Sequence, residues 1–104
     1  MKALLLTLLC GVGCASALVV PTVDEARAAG VSLGELERGR ALYAARCAGC
    51  HELHLPGERA PAEWPKIVRE MRDNAGLTFE DSDLVARYLS VASQSHPMRP
   101  KPAM

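Results

Sequence analysis

Cys47 and Cys50 stand three positions apart, and His51 follows the second cysteine directly. No other feature of this chain restricts its fold as tightly. The chain has 104 residues, which allows one domain, and its aromatic content is only 4%, so few large side chains exist to fill an interior. A domain this small needs a staple such as a disulfide, a metal or a bound group. Four cysteines could make two disulfides, but two of them fall in a stretch that reads as an export signal. Lys2 supplies a positive start, a Leu-rich apolar run spans residues 3–12, and Ala15-Ser16-Ala17 fits a small-residue cleavage site. With residues 1–17 as signal peptide, Cys47 and Cys50 are the cysteines left in the mature chain. The apolar run is shorter than the roughly 20 residues a membrane-spanning helix requires. Gly11-Val12-Gly13-Cys14 looks like a degenerate lipobox, so membrane contact is expected only through lipidation at Cys14 or retention of the signal segment.

Four chemistries suit a Cys-x-x-Cys-His pentad. A disulfide between Cys47 and Cys50 would close a very small loop and add little stability. A thioredoxin-like redox pair expects a βαβ setting, and no strand pattern is visible. A zinc site built from Cys47, Cys50, His51 and His54 would crowd its ligands far closer than paired zinc knuckles do. The fourth, attachment of a c-type haem, accounts for every part of the motif. Each thiol adds to one vinyl group, the small Ala48 and Gly49 avoid crowding the ring, and His51 can swing beneath the iron. Export fits too, because this cofactor is attached after translocation.

Helical signals surround the motif. Ser32 and Glu35 form a capping box. Leu36, Gly39, Tyr43 and Cys47 then recur at three- and four-residue steps, on one face of a first helix. Pro56-Gly57 and Pro61 break the pattern. A second helix begins near Trp64-Pro65, carries the stripe Trp64, Ile67, Val68 and Met71, and ends at Asn74-Ala75-Gly76. A third is capped by Thr78 with Asp81 at the third helical position, and presents Leu84, Val85, Tyr88, Leu89 and Ala92. The expected organisation is a leader over residues 18–31, a domain over 32–93, and a flexible Pro-rich tail over 94–104. The fold class expected is all-α, with three main helices.

From residue 33 to 91 the chain resembles the class I c-type cytochromes, especially short bacterial periplasmic ones. The attachment motif carries the resemblance, with Gly39 and Tyr43 on the helix before it and Tyr88 on the last helix. The resemblance implies that these two helices cross at the glycine, and that the chain wraps one covalently bound haem. It also implies a distal methionine ahead of the last helix, the place Met71 occupies. The same Met71 can equally be the last apolar residue of the Trp64 stripe. The family's usual methionine lies in a loop, whereas Met71 falls where a helix closes. Pro61, ten residues after His51, matches a family proline whose carbonyl accepts the histidine Nδ1–H; it also reads as an ordinary loop proline. Trp64 sits at the haem edge or in the core. His54, His96 and Met98 are weaker ligand candidates, and Arg59 could meet a haem propionate or simply be solvated.

The expected site is therefore Cys47, Cys50, His51, Met71, Pro61 and Trp64, with His51 and Met71 on the iron of a single haem c. The expected function is one-electron transfer in the periplasm, with no enzymatic activity. Partners would be redox proteins docking transiently at the haem edge, with the chain a monomer or a subunit of a redox complex. The alternatives are a dedicated cytochrome subunit of a larger periplasmic dehydrogenase or oxidase, and a ligand-binding haem sensor. Twelve basic and twelve acidic residues, without a basic run, give no electrostatic case for nucleic acid.

Overall fold

A computed structural model describes residues 18–47 and 54–98. Cys50, His51, Cys14 and the whole signal segment lie outside them. Among the described residues the fold is all-α, with four α-helices, two short 3₁₀ turns and no strand. The helices are α1 (Val23–Ala29), α2 (Leu33–Cys47), α3 (Trp64–Ala75) and α4 (Phe79–Ser95). The 3₁₀ turns, Pro56–Glu58 and Pro61–Glu63, lie between α2 and α3. No helix among the described residues is long and apolar enough to cross a membrane.

Local chemistry sets the helix ends. The Glu35 amide donates to Ser32 Oγ at 3.1 Å, and Glu35 Oε1 accepts from the Ser32 amide at 3.4 Å. Thr78 Oγ1 accepts from the Asp81 amide at 3.0 Å and opens α4. Pro65 stands in the first turn of α3, where its missing N–H costs nothing. Gly76 ends that helix with φ at 70°, a left-handed conformation that side chains with a Cβ resist.

The main packing is α2 across α4. Gly39 is buried at the crossing, where a Cβ would sit 2.8 Å from Tyr88 Cβ and collide with the Leu84 carbonyl oxygen. The glycine thus allows an approach that no other residue permits. Trp64 and Val68 of α3 complete the core against Val85 and Leu89 of α4.

The segment over residues 18–31, expected as a leader, contains α1 and packs on the body. Leu18 is buried, the Tyr88 hydroxyl donates to the Val19 carbonyl at 2.7 Å, and Arg40 donates to the carbonyls of Leu18 and Val19, both at 3.1 Å. Thr22 and Glu25 form a full capping box on α1. Glu25 also bonds His96 Nε2 at 2.7 Å, tying α1 to the end of α4. At the other end, α4 runs to Ser95, beyond the boundary expected at residue 93. The Met98 amide then donates to the Gly57 carbonyl at 3.4 Å.

Candidate functional site

An apolar cleft of about 160 Å³ opens between the carboxyl end of α2, the 3₁₀ turns, α3 and α4. Helix α2 contributes Tyr43 and Cys47, one turn apart on the face that also buries Leu36 and Gly39. Helix α3 contributes Trp64, Ile67, Val68, Met71 and Ala75, the stripe its sequence period foretells. Leu77, Val85 and Leu89 form the floor, and His54 and Arg59 are the positively ionisable side chains of the lining.

Cys47, half-buried, closes α2 and faces this space. Met71 faces it too and is 42% exposed, so it is not sealed in the core as the plain stripe reading has it. It lies within α3 rather than in a loop. Trp64 is 3% exposed, and its indole N–H donates to the Pro56 carbonyl at 2.8 Å. Trp64 thus lines the cleft with its polar atom already satisfied.

Pro61 sits apart. It is not among the lining residues, and its carbonyl accepts from Ser90 Oγ at 3.1 Å and from the backbone N–H of Trp64. A carbonyl oxygen has two lone pairs, and both are engaged. His96 pairs with Glu25, and Met98 lies against Gly57, so neither lines the cleft.

Sequence reasoning passed over the clamp on residues 54–58. The Tyr43 hydroxyl donates to the His54 carbonyl at 2.7 Å, and its ring meets Trp64 edge-on with centroids 6.3 Å apart. Burial, reinforced by the neighbouring Cys47 and Glu58, pushes the Tyr43 phenol well above its ordinary pKa, so it remains a neutral donor. Glu58 accepts from the Leu55 amide at 2.9 Å and pairs with His54 Nδ1 at 2.8 Å. The Leu55 N–H and the His54 ring together hold the Glu58 carboxyl below the usual carboxylate range. The spacing of His54 and Glu58 was the available signal, since Glu four residues after His can pair with it across a turn.

Residues 54–58 are therefore fixed by Tyr43, Trp64 and Glu58. Among the described residues no cluster of three or more His, Cys, Asp or Glu could hold a metal ion alone. What the cleft offers is a mostly apolar lining with one thiol and one thioether, beside His54 and Arg59. Comparison with protein-family models, with curated proteins and with solved structures finds no match to this chain.

Proposed function

We propose that the chain is a periplasmic c-type cytochrome with one haem, carrying single electrons between redox partners. The observation that carries this reading is the cleft itself. Cys47 of the Cys-x-x-Cys-His pentad and the half-exposed Met71 line the same apolar space. A thiol for covalent attachment, a soft sulfur donor and an apolar surround together fit a haem.

In this reading Cys47 and Cys50 would hold the macrocycle covalently, and His51 and Met71 would supply donors to its iron. The bound group supplies a reversible Fe(III)/Fe(II) couple. The chain's own work is to bury the ring and to fix its ligands. Met71 on a helix whose backbone bonds are made holds its sulfur in place. A thioether donor together with an imidazole would favour ferrous iron, which would suit electron transfer over gas binding. This reading assigns Pro61 no bond to His51, since its carbonyl accepts from Ser90 Oγ and the Trp64 N–H.

The test is to mature the exported chain and compare wild type with Met71→Ala. We expect a mass increased by one haem that acid-acetone does not remove, and a far-red sulfur–iron band absent in Met71→Ala. A mature mass equal to the bare polypeptide would sink the proposal.

A further inference from the structure

Phe79 opens α4 and is 74% exposed, whereas the other aromatic side chains, Tyr43, Trp64 and Tyr88, are buried. It borders an open groove between α3 and α4, on a different face of α3 from the cleft lined by Ile67 and Met71. The two walls of this groove carry opposite charge. Arg69 and Arg72 stand three positions apart on α3, and Glu80 and Asp83 three apart on α4, so each pair shares one helical face. The walls do not pair with each other. Arg69, Arg72 and Glu80 take part in no ion pair among the described residues, and Asp83 turns back to Arg87 of its own helix at 3.0 Å. The Arg72 guanidinium lies 4.0 Å from the centroid of the Phe79 ring, a cation–π contact that still leaves most of that side chain in water.

We propose that this groove is the interface of a weak homodimer. An isologous interface puts the same patch on both copies, so residue i meets residue j and j meets i. A patch of one sign repels its own copy, whereas a patch divided into a basic row and an acidic row attracts it. With the twofold axis along the groove, α3 of one copy faces α4 of the other. Arg69 and Arg72 then meet the acidic row they leave unpaired within one chain, and the contact is made twice. Phe79 supplies the aromatic anchor, the side-chain type that concentrates binding energy at interfaces. The charged rows make the association sensitive to salt. The proposal does not depend on what occupies the cleft.

The experiment is sedimentation velocity of the mature chain over a concentration series, in wild type, Arg69→Glu, Glu80→Arg, Phe79→Ser and Asp24→Arg. The Asp24 side chain, 94% exposed on α1 and outside the groove, controls for charge reversal as such. Wild type and Asp24→Arg should dimerise alike, and added salt should loosen both. Each groove substitution enters a symmetric dimer twice and should raise its dissociation constant about tenfold. Those side chains are exposed, so helical circular dichroism should match wild type. An equimolar mixture of Arg69→Glu and Glu80→Arg should associate more tightly than either variant alone, because the reversed α3 row of one then faces the reversed α4 row of the other. A wild type that stays monomeric at millimolar concentration overturns the proposal. So does a dimer that the groove substitutions leave as tight as Asp24→Arg, or a mixture no tighter than its separate components.

Discussion

Two glycines five positions apart on α2 respond oppositely to a methyl group. At Gly34 an added Cβ meets nothing within 4 Å. Gly34→Ala should therefore gain up to about 1 kcal/mol from helix propensity and a less free unfolded chain. At Gly39 the same methyl collides with the Leu84 backbone and with Tyr88 Cβ at 2.8 Å. The propensity gain is outweighed by overpacking, and Gly39→Ala should lose about 1–3 kcal/mol. Urea midpoints of the two variants, moving in opposite directions from wild type, check the pair. Tyr88, the partner of Gly39, makes a second residue-scale claim. Burial, only partly offset by the Arg40 charge and hydrogen bond, raises its phenol from 10.0 to about 12. The folded state therefore keeps a proton that the unfolded chain has lost between those values. Stability from this source is complete below pH 10 and disappears as pH climbs toward 12. Tyr88→Phe should shrink that alkaline loss, read as unfolding midpoint against pH, while lowering neutral-pH stability by about 1 kcal/mol for the lost bond to Val19.

The elements show why some of the fold was legible and some was not. The starts of α2 and α4 announce themselves, because Ser32/Glu35 and Thr78/Asp81 act within four residues and need no tertiary partner. Thr22/Glu25 carries the same signal. It was passed over because α1 has seven residues, too few for an apolar period to emerge, and its docking depends on Arg40, Tyr88 and His96 far along the chain. The 3₁₀ turns are opaque for a related reason. Prolines mark them as breaks, but only the folded state brings Trp64 to Pro56 and Ser90 to Pro61. Glu25 makes this testable. Burial raises its carboxyl, but the Thr22 N–H and His96 outweigh that and leave it below 4.5. A lowered carboxylate contributes stability above its ordinary value and loses it as pH falls through the folded one. Glu25→Gln should cost about 1 kcal/mol near neutrality, as capping losses do, and should make the acid limb of the stability profile shallower. An unchanged acid limb would mean that α1 adds nothing to the body it rests on.

For the molecule as a whole, the legible part of the site is the part written in helical periods. Cys47 lies one turn after Tyr43, and Met71 lies on the stripe begun by Trp64, so the sequence brings both to apolar faces. His54 and Arg59 reach the same cleft from irregular backbone, where no period exists to read. Between these walls the described residues leave an open cleft of about 160 Å³. Its apolar lining gains stability only when something covers it, at roughly 25 cal/mol per Å² removed from water. Small domains hold only about 5–15 kcal/mol in total, so a chain that folds around an occupant should be barely stable without it. Cys47→Ser/Cys50→Ser, which removes both thiols of the proposed haem attachment, should retain helical circular dichroism in the cold because the capped helices and the α2–α4 crossing remain. Its urea midpoint should fall well below that of the haem-loaded chain, and its transition should be broader because the walls of the cleft no longer share a partner. Superimposable unfolding curves for the two forms would mean that the cleft is closed by the polypeptide alone and that nothing of structural weight belongs inside it.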